Sequence, residues 1–175
     1  MQKLKNEELG RPDLIAYQQI KKLPIIIVLD NVRSALNVGS VFRSSDAFRV
    51  EKIILCGITA QPPHKEVLKT AIGATESVQW EYFEETKEAV KHLKSEKVKV
   101  YAIEQASNSI DLRDFIPAER TAVIFGHEMD GVAQDVINLC DGCIEIHQEG
   151  TKHSLNVSVC AGIVCWELHK KLTSL

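Results

Sequence analysis

No run in these 175 residues approaches the roughly 18 consecutive apolar side chains that a membrane-spanning helix needs. The opening residues are basic at Lys3 and Lys5 but pass into Asn6-Glu7-Glu8 without an apolar stretch, so no secretory leader is expected. A soluble, unprocessed, cytoplasmic chain is the expectation. An excess of positive charge is also missing: 21 Lys and Arg stand against 24 Asp and Glu, a formal net charge of −3. A nucleic-acid partner would therefore need a local basic surface or a second domain, because the body as a whole repels phosphate. Aromatics make up only 6% of the chain, which limits stacking on the bases of a single strand. Repeats and low-complexity tracts are absent.

Cysteine is present in an odd number, five, and mostly in apolar settings such as Leu55-Cys56 and Val159-Cys160-Ala161. There a reduced thiol behaves as a small hydrophobe, and a reducing compartment is implied. With 45% apolar residues the length suits one α/β domain with a sizeable core.

Short β-branched runs alternate with helical patterns. Strands are expected over 25–29, 52–56, 77–80, 99–103, 121–125 and 142–146, and helices over 38–48, 65–70, 84–96, 132–139 and 155–171. This alternation predicts a mainly parallel sheet flanked by helices. Residues 1–23 are polar and charged and read as an N-terminal arm or short helix on a domain of residues 24–175. The last helix, through Val157, Cys160, Val164 and Trp166, is apolar almost all the way round. It is either central or part of a subunit interface, with Ser158, Ala161 and Gly162 permitting close approach.

Three segments combine a strand end, a polar or glycine-containing loop and a helix start. In the first, Leu29 to Arg43, Asn37 is placed as an N-cap. Val38, Val41, Phe42 and Ser45 share one helix face, leaving Gly39, Arg43 and Asp46 on the other, so that Gly39 opens space beside Arg43. A solvated Arg43–Asp46 pair worth about 0–1 kcal/mol is the plain alternative to a functional role.

In the second segment, Gly126-His127-Glu128-Met129-Asp130-Gly131 follows an apolar strand, and Glu128 would face a pocket beyond the strand's carboxyl end. An ordinary turn with solvated acids is the alternative. The third runs from Ile144 through Gly150 to Ser154-Leu155-Asn156. Ser154 could cap the last helix, and Asn156 would be an amide in its first turn that needs partners.

Cys140-Asp141-Gly142-Cys143 with His147 and His153 resembles a zinc set only superficially. The pairs lie too close together and straddle an expected strand, so no metal site is expected. As a redox motif it is misplaced, preceding a strand rather than opening a helix.

Asn37-x-Gly39-x-x-x-Arg43, Gly126-x-Glu128-x-x-Gly131 and Ser154-Leu155-Asn156-Val157-Ser158 with Ala161-Gly162 resemble, in order and spacing, the three signature motifs of the SpoU (TrmH-like) branch of the SPOUT RNA methyltransferases. The resemblance implies a trefoil-knotted α/β domain, an exception to the rule against threaded chains. It further implies S-adenosylmethionine as cofactor, a homodimer formed through the knot-associated helices, and 2′-O-methylation of ribose in structured RNA, tRNA before rRNA.

By motif position Gly126, Ile146, Leu155 and Ser154 resemble cofactor contacts, with the strand end at Glu104 a further wall. Arg43 resembles the catalytic arginine, with Asn37, Glu128, Ser154 and Asn156 around it. A guanidinium stays protonated near neutrality, so Arg43 suits holding phosphate or stabilising alkoxide charge better than taking a proton. Arg33, Arg43, Lys65 and Lys69 are candidates for the RNA surface, with a solvated basic face as the alternative.

One departure from the pattern is that Ile146 is followed by His147 and Gln148 where the family commonly has Pro-Met, which loosens a preset backbone angle. No extra RNA-binding domain of the kind many relatives carry is expected from these residues, and recognition is expected to fall to the core, the arm and the loop near Lys65. A non-catalytic RNA-binding knot protein is the competing reading. A general nucleotide-binding fold would want a glycine-rich phosphate loop after the first strand, and there is none.

Overall fold

A computed structural model describes residues 1–173; the last two residues of the expected 24–175 domain lie outside the described residues. The elements after a 3-10 turn at Asn6–Leu9 are α1 Leu14–Gln19, β1 Leu23–Asp30, α2 Ala35–Ala47, β2 Val50–Cys56, α3 Lys65–Ala71, α4 Ala74–Ser77 and β3 Gln79–Phe83. They continue with α5 Thr86–Ser95, β4 Lys99–Ile103, β5 Ile110–Asp111, β6 Thr121–Phe125, α6 Gln134–Ile137, β7 Gly142–Glu145 and α7 Val157–Thr173.

The seven strands form one sheet in the order β3-β2-β1-β6-β4-β7-β5, and every pairing is parallel. Both faces are covered, which is why β1 reads as an unbroken apolar run instead of an alternating one. Ile25, Ile27 and Leu29 pack toward α2, α3 and α7, whereas Ile26 and Val28 pack toward α5 and α6. All five are fully buried, each contributing roughly 1.5–3 kcal/mol of hydrophobic stabilisation before entropy is counted. The chain lays β1, β2 and β3 outward to one side, then crosses over and inserts β6 between β1 and β4. That reversal opens a crevice at the carboxyl ends of the central strands.

Several sequence expectations need correction. The cap of α2 is Ser34, whose hydroxyl accepts from Asn37 N–H; Asn37 itself lies inside the first turn with its side chain free for other partners. The last helix is capped by Asn156 and not by Ser154, since Asn156 Oδ1 accepts from the N–H groups of Ser158 and Val159.

Gly39 does not open space beside Arg43. A Cβ there would stand 2.1 Å from Thr70 Oγ1 and 2.2 Å from the Val67 carbonyl oxygen, so the missing side chain is what lets α3 pack on α2. Asp46 is not paired with Arg43 but accepts from the Ser77 hydroxyl. Strand β3 lies two residues later than expected, because 74–77 forms the short α4. Strand β5 has only two residues, too few to produce a readable period.

The segment before β1 is anchored at Tyr17, which is buried and donates from its hydroxyl to the Asp46 carbonyl at 2.7 Å. Burial, with the Asp46 charge, pushes the Tyr17 phenol up to about 12. Lys22 sits 3.2 Å from the centre of the Tyr17 ring and donates to its carbonyl.

Candidate functional site

Beyond the ends of β4, β6 and β7 lies a cavity of about 480 Å³, lined by 103–105, 125–131, 145–146, Gln148, 153–157 and Cys160. This size is typical of small-molecule sites. Its floor is the loop 126–131 after β6, closed on itself by two rungs: His127 N–H donates to the Gly131 carbonyl at 3.1 Å and Gly131 N–H to the His127 carbonyl at 2.9 Å.

The glycines make this loop possible. A Cβ on Gly126 would come within 2.1 Å of the Gly131 carbonyl carbon, and Gly131 has φ +68° with no room for a Cβ beside Glu104. Glu104, at the end of β4, accepts from Val132 N–H at 2.7 Å and braces the far side of the loop. Across the cavity Gln105 Nε2 donates to the His153 carbonyl at 2.9 Å, tying the strand end to the loop ahead of α7.

Glu128 leaves this loop in the other direction and joins the three segments. One carboxylate oxygen accepts from Arg33 N–H at 2.9 Å; the other accepts from Ser34 N–H at 2.9 Å and from Asn37 Nδ2 at 3.1 Å. Partial burial pushes the Glu128 carboxyl up, but these donors together outweigh burial and hold it below the usual range. Asn37 Oδ1 accepts from Asn156 Nδ2 at 3.2 Å, and Asn156 Oδ1 accepts from the Ser158 hydroxyl and two amides of α7.

The loop that presents the Arg33 and Ser34 amides is itself braced. Val32 N–H donates to Thr59 Oγ1, which donates to the Leu29 carbonyl, and buried Asp30 accepts from Asn31 Nδ2 and from the Thr86 hydroxyl.

The structure thus places Glu104, Gly126, Glu128, Ile146, Ser154, Leu155 and Asn156 on one cavity. Asn37 touches it through Glu128 and Asn156. Arg43 does not line it: the side chain is exposed on α2, six residues or about 9 Å of helical rise beyond Asn37. Arg33, Lys65 and Lys69 are also exposed and outside the cavity.

Among the described residues none of these four cations has an ion-pair partner. By contrast Lys52, Lys87, Lys94, Lys99, Arg113 and Arg120 are each neutralised by a carboxylate. His127, Asp130, Glu145, Gln148 and His153 also line the cavity and carried no motif signal. Their position at or just after strand carboxyl ends was the available clue.

The five thiols are free, and burial pushes those of Cys56, Cys140, Cys160 and Cys165 up to about 12. Among the described residues no group of three or more His, Cys, Asp or Glu side chains is arranged to hold a metal ion. No described helix is long and apolar enough to cross a membrane.

A family model described as the SpoU rRNA methylase family matches residues 24–166. The tRNA (guanosine(18)-2′-O)-methyltransferase of Thermus thermophilus is 30% identical over 147 residues, covering 84% of this chain and 75% of that protein. The Escherichia coli protein of the same name is 25% identical over 147 residues, and the match covers 63% of it. An AdoMet-bound rRNA methyltransferase from Sinorhizobium meliloti shares the fold, with a TM-score of 0.81 at 24% identity over 89% of this chain and 60% of that one. The chain therefore spans less than two thirds of the length of the latter two.

Proposed function

This chain belongs to the SpoU rRNA methylase family, and from that premise we propose that it transfers a methyl group from S-adenosylmethionine to a ribose 2′-hydroxyl of structured RNA, tRNA in preference to rRNA. The observation that carries the reading is the convergence of all three segments on one cavity through Glu128, Asn37 and Asn156. The cavity suits the cofactor because its volume of about 480 Å³ matches a small molecule and its wall combines the backbone of loop 126–131 with apolar Ile103, Ile146 and Leu155 and polar Glu104, Gln105 and Ser154. Gly126, Ile146, Leu155, Ser154 and Glu104 are the residues that would hold it. When bound, the cofactor supplies an electrophilic methyl on a sulfonium.

The chain's own residues then orient the reactants. Ser154 and Asn156 stand at the start of α7, where they position the ribose, and Asn37 and Glu128 fix Asn156. Such orientation can supply several kcal/mol of the barrier reduction. Arg43, outside the cavity and permanently charged, serves as a clamp on the phosphate beside the reacting ribose and steadies charge developing on its oxygen. Arg33, Lys65, Lys69 and the arm with Lys3, Lys5 and Arg11 extend the phosphate surface. The lack of carboxylate partners for Arg33, Arg43, Lys65 and Lys69 among the described residues supports this, because a cation not already paired can neutralise an RNA phosphate and displace the counterion condensed on it.

The homodimer belongs to the same reading. Val159, Ile163 and Trp166 of α7 are 53, 39 and 55% exposed and follow one another at helical spacing, an apolar stripe suited to a second copy. The knotted chain path implied by the family, the arm-plus-domain division at residue 23 and a reducing, cytoplasmic location complete the proposal. The reduced thiols support the last of these.

The test is transfer of labelled methyl from S-adenosylmethionine to total tRNA and, separately, to rRNA from cells lacking the gene, with nucleoside analysis and Arg43→Ala as control. A 2′-O-methylated nucleoside that vanishes with the variant is expected. Failure to bind the cofactor at all would sink the reading.

A further inference from the structure

The lining of the cavity is held with very different firmness on its different sides. Loop 126–131 is closed by the two rungs between His127 and Gly131 and braced by Glu104. Residues 146–155, which contribute Ile146, Gln148, His153, Ser154 and Leu155 to the same cavity, have no such support. Among the described residues a single hydrogen bond reaches this segment between Glu145 and Asn156: Gln105 Nε2 donates to the His153 carbonyl at 2.9 Å. From His147 to Asn156 every residue except Gln148 is exposed. A stretch whose backbone is solvated and tied once opens at little cost in free energy.

Gln105 is well founded as the fixed end of that tie. It follows Glu104, whose N–H donates to the Ile144 carbonyl at 3.1 Å and whose carboxylate accepts from Val132 N–H at 2.7 Å, so the chain beneath it is pinned to β7 and to the loop after β6. The bond has one possible direction, because a carbonyl can only accept and Gln105 must turn its NH₂ toward it. At the other end His153 directly precedes Ser154 and Leu155, and beyond them Asn156 is held by Asn37 and by the first amides of α7. Fixing the His153 carbonyl therefore fixes the last free stretch of chain before the helix.

We propose that Gln105 is a positioning residue for the cofactor: through the His153 carbonyl it latches segment 146–155 to the end of β4, and the cavity opens for entry and release when that bond breaks. This rests on the methyltransferase reading above, in which Ile146, Ser154 and Leu155 contact S-adenosylmethionine. With the latch closed these residues are already placed. With it broken, part of the binding free energy is consumed in ordering them, and affinity falls. A single exposed hydrogen bond is weak enough to break and re-form during each cycle.

The experiment uses the full chain as wild type, Gln105→Glu and Gln105→Lys. Glutamate has nearly the shape of glutamine but offers the His153 carbonyl an acceptor in place of a donor; lysine restores a donor of similar reach. Affinity for S-adenosylmethionine is measured by calorimetry. Opening of the segment is measured on ligand-free wild type and Gln105→Glu as the rate of tryptic cleavage after the exposed Lys152, read by mass spectrometry. Gln105→Glu should bind about 3- to 10-fold more weakly and be cut faster after Lys152, whereas Gln105→Lys should bind within about twofold of wild type. Charge alone predicts the reverse order, since a carboxylate attracts the cofactor's sulfonium and an ammonium repels it.

Affinity in Gln105→Glu equal to or above that of wild type, or Gln105→Lys as weak as Gln105→Glu, would overturn the proposal while leaving the methyltransferase reading intact. Weaker binding with unchanged cleavage after Lys152 would also overturn it, because Gln105 would then act on the cofactor directly and not through the segment. A wild type that binds no S-adenosylmethionine overturns the parent reading and this proposal with it.

Discussion

Asn156 Nδ2 donates to Asn37 Oδ1 across 3.2 Å, joining residues 119 positions apart in the chain. The direction of this bond is dictated at both ends. Glu128 is a carboxylate and can only accept, so Asn37 must turn its NH₂ toward it and its oxygen away. The first amides of α7 can only donate, so Asn156 must turn its oxygen toward them and its NH₂ toward Asn37. The two amides are thereby locked in one orientation.

Replacing Asn37 by Asp should therefore be worse than replacing it by Ala. The aspartate sets a carboxylate against Glu128, while alanine only removes a link. The expected loss for Asn37→Asp is about 1–3 kcal/mol in urea unfolding. Equal stability of the two variants would show that the network does not hold the loops together.

Glu128 gives a pH dependence of known sign. Its folded-state value is lowered, so its contribution is fully present above the unfolded value of about 4.3 and is lost as pH falls through the lower folded value. The stability gap between wild type and Glu128→Gln should thus be constant from pH 7 to 5 and close below pH 4, as read by thermal midpoints. A gap that widens on acidification would contradict the hydrogen bonding described.

Gly126→Ala should damage the cavity before it damages the core. Its Cβ meets Gly131 and Val132 backbone at 2.1 to 2.3 Å, and backbone cannot yield as a flexible side chain would. Overpacking of this kind typically costs about 1–3 kcal/mol. Calorimetry should show cofactor affinity lost in a protein that still folds.

Ser45→Ala should stabilise the protein. The Ser45 hydroxyl is fully buried on the core face of α2 and has no hydrogen-bond partner among the described residues. Removing it spares a desolvation penalty of about 1–3 kcal/mol and substitutes a better helix former. A lower thermal midpoint would mean that the hydroxyl is satisfied in solution.

If the chain pairs through α7 as proposed, Ile163→Asp should convert the dimer to a monomer. The residue lies at the middle of the exposed apolar stripe of α7, where a buried charge would have no partner. Sedimentation velocity distinguishes the outcomes, and an unchanged sedimentation coefficient would overturn the proposed pairing through α7.

Much of this protein could be read locally. The apolar runs of β1, β2 and β6 stood where expected because a strand buried on both faces is visible as a block of apolar residues, and β4 showed itself by alternation, with Val100 and Ala102 buried. The core face of α2 was equally plain from its period, with Val38, Val41, Phe42 and Ser45 all buried. Gly126, Ile146, Ser154 and Leu155, with the strand end at Glu104, were singled out by their positions in the family's motifs, and all five line the cavity. The short elements α4, β5 and the clipped α6 were missed or overdrawn, since four residues or fewer carry no period.

The order and spacing of the three segments, and with them the family, were determined by the sequence alone. Which groups meet was decided only by the tertiary structure. Asn37 was free to bind Glu128 and Asn156 because Ser34 took over the cap. Gly39 was needed by α3 and not by Arg43, and Arg43 was left outside the cavity. The physical reason is that a hydrogen bond depends on distance in space. The insertion of β6 between β1 and β4 places residues 33–37, 104, 128 and 156 side by side, a proximity that no local pattern encodes.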